Sequence, residues 1–378
     1  MTTKKRVSPA VRPTVMLHVF PSFGYGGQQA RFAALAHGLG PSFRHHVVSL
    51  DGDIAAQALL APTAGVEVQP MRFGKSALAG IVNYWRFRRL FGKIKPDILC
   101  TYNWGSIEAA LANVTGRRRP HIHFEDGFGP GESIEKQHFR RVKARRMLLG
   151  AAHFVVPSRG LEEVATAKWG VAPERLHRMS NGVDFVRFQV RQPALRLAVT
   201  VGSVGALRPE KNYRRLISAF PKADRSGKAH LKIIGDGPMR KPLADAAKSS
   251  KARARISLPG STKAPETVYK EFDVFALSSD TEQAPLTVIE AMAAGLPIVA
   301  TNVGEIANMV APENLAFITP LGDEGAYVDA LTHLLQNPDA RAKLGAANRK
   351  KAKAEFDLKP MVEKHRALYL SLTDKVKA

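Results

Sequence analysis

The sequence predicts an α/β protein built as two Rossmann-like domains, each a parallel sheet with helices on both faces. Three observations lead there. At 378 residues the chain is long for one domain and typical of two. Strand-length apolar runs alternate with helical patterns along it, and alternation at that spacing means parallel strands joined by crossover helices. A linker is placed near Gln189–Arg196, which divides the chain into 1–192 and 193–357, with a final helical segment at 358–378.

Thr14–Phe20 is an apolar run of strand length. It leads into Pro21-Ser22-Phe23-Gly24-Tyr25-Gly26-Gly27 and then a helical pattern with Ala30, Phe32, Ala33, Leu35 and Ala36 inside. Strand, glycine loop and helix form a phosphate-cradling arrangement, although an ordinary βα turn reads the same way. It fails as a dinucleotide fingerprint, because Gln29 stands where a third glycine is required. His45–Leu50 reads as a second strand, and Asp51-Gly52-Asp53 after it as a turn rather than a metal motif. Gly74-Lys75-Ser76 is not a P-loop, since Gln69 occupies the first glycine position. Helix 76–93, strand Asp97–Thr101, helix 105–113, strand His121–Phe124, helix 133–149, strand Ala152–Pro157 and helix 159–169 follow. Ligands bind such sheets beyond the carboxyl ends of the strands, so the loop Glu125–Pro130 lies at the working end. Asn181-Gly182 is a turn signal.

The second domain opens with strand Leu197–Val204 and the basic loop Gly205–Asn212. Strand His230–Ile234 runs into Gly235-Asp236-Gly237-Pro238, which begins a helix, and strands Arg255–Leu258 and Asp273–Leu277 follow. The most informative stretch is Ser278–Gly304. Ala284-Pro285 starts a helix, proline being tolerated in a first turn, and Gly295-Leu296-Pro297 stops it. Glu282 then lies in the loop before the helix and Glu290 on its second turn. The free N–H groups of Leu286 and Thr287 would point at an anion over the helix start. Phosphate there, flanked by two acceptors suited to sugar hydroxyls, describes a site for a nucleotide sugar. Helices at 323–336, 338–355 and Leu358–Leu372 complete the chain.

Glu282, seven residues, Glu290 and Ala291-Met292-Ala293-Ala294-Gly295-Leu296-Pro297 together resemble the donor signature of the retaining GT-B glycosyltransferases of family 4. Gly205-Ala206-Leu207-Arg208-Pro209-Glu210-Lys211-Asn212, Asn181-Gly182-Val183-Asp184 and the Gly26-Gly27 loop with Arg31 resemble further segments of that family. The resemblance implies the GT-B fold, two Rossmann-like domains facing across a cleft, with the C-terminal helix crossing back to the first. It implies transfer of a sugar from a nucleotide diphosphate sugar to a sugar, glycan or lipid-linked acceptor, with retention of configuration and without metal or cofactor. Arg208 and Lys211 would grip the diphosphate, and Glu290 the ribose. Glu282 would hold the sugar, and Gly26, Gly27 and Asp236 would line the donor site. The family often carries a reacting-centre histidine in the loop after the fifth strand. Here Asp126 takes that place, with His123 three residues earlier. A GT-B nucleotide-sugar epimerase and a non-catalytic basic binding protein remain as alternatives.

The net charge of +23 allows an anionic membrane or nucleic acid as partner. No nucleic-acid recognition motif is present, so none is expected. Residues 81–95 interleave Ile81, Tyr84, Trp85, Phe87, Leu90 and Phe91 with Arg86, Arg88, Arg89, Lys93 and Lys95, and residues 136–149 show the same pattern, as interfacial helices do. The second of these sets Lys136, Arg140, Arg141, Lys143, Arg145 and Arg146 beside Phe139, Val142, Met147 and Leu148. Cys100 is alone and no apolar run approaches membrane-spanning length. The expected setting is cytoplasmic, peripheral on the inner face of a membrane.

Overall fold

The computed structural model describes residues 12–377 except 75–76, 129–131, 135, 189–197 and 263. The expected linker, Lys75-Ser76 and Gly129-Pro130 therefore lie outside the described residues. Two parallel sheets form. The first contains β1 (Thr14–Phe20), β2 (Phe43–Ser49), β3 (Val66–Pro70), β4 (Ile98–Tyr102), β5 (His121–Phe124), β6 (His153–Val156) and β7 (Leu176–Arg178), in the order β3-β2-β1-β4-β5-β6-β7. The second contains β8 (Thr200–Val204), β9 (His230–Ile234), β10 (Ile256–Gly260), β11 (Val274–Leu277), β12 (Ile298–Thr301) and β13 (Ile318–Thr319), in the order β10-β9-β8-β11-β12-β13. In both, strand order reverses beside the first strand, between β1 and β4 and between β8 and β11. Crevices at such reversals are where open α/β sheets bind ligands.

Alternation along the buried strands sends side chains to two helical layers. Met16, Phe20, Ile98, Cys100, Ile122 and Phe124 face the helix Gly27–Leu39 and the C-terminal helix Leu358–Lys377. Leu17, Val19 and Leu99 face the helices Ala77–Ile94 and Ile107–Val114 on the opposite side. The C-terminal helix joins the first core through Met361, Val362, Leu368, Tyr369 and Leu372, so the chain does cross back. Gly38 permits the close approach: a Cβ there would stand 2.7 Å from a Val362 methyl. The second sheet is covered on both faces by apolar clusters of its own.

Three local readings change. Strand β3 and the two-residue β13 carry too short an apolar signal to stand out in the sequence. The helix expected over 133–149 begins only at Phe139. Glu132 explains the delay: its carboxylate accepts from the His138 N–H at 3.1 Å and from Arg141 at 2.8 Å, fixing His138 just before the helix. Gly235–Pro238 form a turn, and their helix starts at Arg240.

Candidate functional site

Loops at the two strand-order reversals come together here, the glycine loop after β1 facing the helix that follows β11. Those after β8 and β11 are stitched together by side chains. Ser278 Oγ donates to the carbonyls of Lys211 at 3.2 Å or Asn212 at 3.0 Å. Asn212, at φ 41°, caps the helix Tyr213–Ala223 through Oδ1 and donates to Asp280 at 3.0 Å. Asparagine is among the few residues that accept positive φ at modest cost. This fixed turn sends Lys211 Nζ to Glu282 Oε1 at 2.6 Å, where Ser279 Oγ also donates at 2.7 Å. Gly304, at φ +58°, lies against the Glu282 and Gln283 carbonyls with no room for a Cβ. Arg208 caps the short 3₁₀ turn Pro209–Lys211, is exposed, and makes no ion pair among the described residues.

Pro285 sits one residue outside the helix Leu286–Ala293, at φ −66° and ψ 119°. The N–H groups of Leu286 and Thr287 therefore open the first turn, where an α-helix supplies no acceptor. Glu290 is 8% exposed and accepts from the Tyr269 hydroxyl at 2.6 Å. Burial pushes its pKa up to about 7, against the lowering effect of that hydrogen bond. Asp236 is a turn residue, its carboxylate accepting from the Gly237 N–H at 2.8 Å.

Across the cleft, a Cβ on Gly27 would stand 3.8 Å from Leu286 Cβ, so the glycine loop after β1 faces the start of the helix Leu286–Ala293. Asp126 lies in the same region and is held by the first helix. Arg31 Nη2 donates to Asp126 Oδ2 at 2.8 Å, while Arg31 Nη1 and Gln28 Nε2 complete the clamp. The domains also meet directly: Ser158 Oγ donates to Gln283 Oε1 at 3.0 Å, and Asn181 Nδ2 to the Ala284 carbonyl at 2.9 Å. The helix Leu286–Ala293 thus begins opposite the glycine loop, and the loop leading into it carries Glu282, paired with Lys211 three residues after the exposed Arg208.

His123 lies elsewhere. It is 1% exposed, on the opposite sheet face from Phe124, bonded to Thr101 Oγ1 at 2.8 Å and approaching Glu125 at 3.3 Å. Asp51 closes its own turn, accepting from the Asp53 N–H and the Ser49 hydroxyl, both at 2.9 Å. Arg31, Gln28, Asn181, Tyr269 and Ser279 escaped assignment as site residues. For Arg31 a signal existed, since a cation at position 31 shares the helical stripe of Phe32 and Leu35.

Residues 197–351 match the family model described as glycosyl transferases group 1, and residues 26–182 match that of the glycosyl transferase 4-like domain. The chain belongs to the group 1 glycosyltransferases. A GDP-mannose-dependent alpha-mannosyltransferase of Mycobacterium tuberculosis is 33% identical over 172 residues, 43% of this chain and 43% of that one. The sulfoquinovosyl transferase SQD2 of Arabidopsis thaliana is 29% identical over 52% of this glycosyltransferase and 40% of its own length. The matched segments thus span less than half of these relatives. Among solved structures, sucrose-phosphate synthase from Thermosynechococcus elongatus superposes with a TM-score of 0.79 at 18% identity, covering 95% of this chain and 99% of that one. Anabaena HepE, solved with UDP-glucose, gives 0.78 at 18% identity over 94% and 99%. These neighbours establish the GT-B fold.

Proposed function

We propose that this glycosyltransferase moves a hexosyl-type group from a nucleotide diphosphate sugar to an acceptor hydroxyl, with retention at the anomeric carbon and without a metal ion. The observation that carries the reading is the convergence of Lys211, Glu282 and the first turn of the helix Leu286–Ala293 at the second sheet's reversal point, opposite Gly27. The bond from the anomeric carbon to the diphosphate breaks, and its electron pair leaves on the diphosphate oxygen. Arg208, Lys211 and the Leu286 and Thr287 N–H groups stabilise that charge. The acceptor oxygen bonds to the anomeric carbon, and its proton passes to the departing phosphate. Relatives that act on GDP-mannose and transfer sulfoquinovose favour transfer over epimerisation. The anomer of the first-formed product, assayed in EDTA, tests the reading. Retained configuration at undiminished rate is expected. Inversion, or activity lost in EDTA and restored by Mn²⁺, would overturn it.

Glu290 supports a second expectation. A carboxylate accepts hydrogen bonds from ribose hydroxyls best when ionised, and burial has moved its titration up to about 7. The ionised fraction falls as pH drops through that value. Donor KM should therefore rise toward about tenfold per pH unit below it and level off above. In Glu290→Gln, donor KM should be higher and flat with pH. A flat wild-type profile would contradict the assignment.

An anionic membrane surface suits the first domain, with a lipid-linked acceptor as substrate. The helix Ile107–Val114 packs between Ala77–Ile94 and Phe139–Leu149. Together these three expose Ile81, Val82, Trp85, Leu111, Phe139 and Met147. Two expectations about this face are corrected. Phe87, Leu90 and Phe91 belong to the core, and Arg145 is 1% exposed and cannot reach a lipid. The cations at this surface include Arg89, Arg140, Lys143 and Arg146. No helix among the described residues is long and apolar enough to cross a membrane. Co-sedimentation should require vesicles with anionic lipid, weaken with salt, and drop when Arg140, Lys143 and Arg146 become serine. Equal recovery with neutral vesicles would contradict electrostatic docking.

A further inference from the structure

The Asp126 carboxylate has its partners in the first helix. Gln28 and Arg31 are three residues apart and share a helix face. Both Arg31 terminal nitrogens and Gln28 Nε2 donate to the Asp126 carboxylate. An ionised carboxylate offers about four acceptor positions, so three are filled from within the protein. Arg31 is 4% exposed and lies over the Phe124 ring at 5.5 Å, an unusual place for a cation. A buried guanidinium is costly unless well paired, and here the pair is bidentate.

Two more contacts extend this cluster. The Asp126 N–H donates to Asn103 Oδ1 at 2.9 Å. Asn103 sits at φ 51° and ψ 178°, a conformation that residues other than glycine adopt only under constraint. Arg31 Nη1 also donates to Asn181 Oδ1 at 3.2 Å, and Asn181 Nδ2 donates to the Ala284 carbonyl, two residues before Leu286. The first helix, the Asp126 loop and the approach to the donor helix are thus joined by one chain of bonds.

We propose that Arg31 is a positioning residue of the transfer site, which with Gln28 holds the Asp126 carboxylate in a single orientation and links it through Asn181 to the donor helix. Asp126 then presents one remaining acceptor position, suited to a sugar hydroxyl, and is not the proton acceptor. The inference rests on the glycosyl-transfer reading and adds to it a residue that touches no substrate.

The test uses the full chain and the sugar nucleotide that the wild type turns over. In Arg31→Met, kcat should fall about ten- to a hundredfold with donor KM within about threefold, the pattern of lost positioning rather than lost binding. Arg31→Lys keeps the charge without the fork and should recover part of the loss. Gln28→Leu, at a half-buried position that leaves the ion pair intact, should lower kcat severalfold. Arg31→Met/Asp126→Asn should be little worse than either single variant, because both remove the same unit. Wild-type kcat in folded Arg31→Met or in Gln28→Leu would overturn the proposal. So would losses in Arg31→Met and Asp126→Asn that simply multiply. A wild-type chain inactive on every sugar nucleotide would instead overturn the transfer reading and this inference together.

Discussion

Replacing Arg208 and Lys211 together by alanine is expected to lower turnover about a thousandfold or more with the fold intact. A diphosphate leaving group develops charge as the glycosidic bond breaks, and a single preorganised donor at such a site contributes about a hundred- to a thousandfold in kcat. The two side chains differ in what their loss leaves behind. Arg208 is exposed and unpaired among the described residues, so Arg208→Ala removes a cation and disturbs nothing else. Lys211 is bonded to Glu282, whose side chain is 8% exposed, so Lys211→Ala also strands a mostly buried carboxylate on Ser279 alone. The Lys211 effect should therefore combine lost charge stabilisation with a displaced Glu282. The double variant should fall short of the product of the singles. Steady-state kcat at saturating donor checks this, with a thermal melt to confirm folding. Near-normal turnover in the double variant would remove both residues from the site.

Arg145→Ser is expected to cost about 3–5 kcal/mol of stability, the usual result of removing one partner from a buried ion pair. The guanidinium lies between Trp104 at 5.2 Å and Trp169 at 4.7 Å. It donates to Glu125 Oε2 at 3.1 Å and lies 4.0 Å from Glu132, and both carboxylate side chains are fully buried. Its loss would leave Glu125 without its arginine, Glu132 with Arg141 alone, and Trp169 without its cation. His123, which shares Glu125, would lose its surroundings as well. Arg140→Ser, on an exposed turn of the same helix, should change stability by less than about 0.5 kcal/mol. Urea unfolding of the two variants distinguishes them, and similar midpoints would contradict the buried network.

The legible part of this protein was its periodicity and its loop chemistry. Ala284-Pro285 and Gly295-Leu296-Pro297 mark a helix start and stop by residue type alone, and the helix Leu286–Ala293 lies between them, with Pro285 just outside it rather than in its first turn. The seven- and six-stranded sheets follow from alternation, apart from β3 and β13, whose short runs resemble loop. What the sequence concealed was pairing. A charged residue reads as solvated by default, because most are. Arg31 and Arg145 break that expectation through partners 95 and 20 positions away, Asp126 and Glu125, which no local window can join. The same reasoning explains Phe87, Leu90 and Phe91. An amphipathic pattern gives an apolar stripe but does not say whether a sheet or a membrane covers it.

The central claim is that the second domain binds a nucleotide diphosphate sugar and activates it for transfer. The most direct measurement is release of free nucleotide diphosphate from a panel of UDP-, GDP- and ADP-sugars, with wild type and the Arg208/Lys211 double variant side by side. The account predicts that the wild type releases nucleotide from one class of donor, that acceptor increases the rate, and that the double variant falls to background. No release from any donor by folded wild type, or equal release by the double variant, would contradict it.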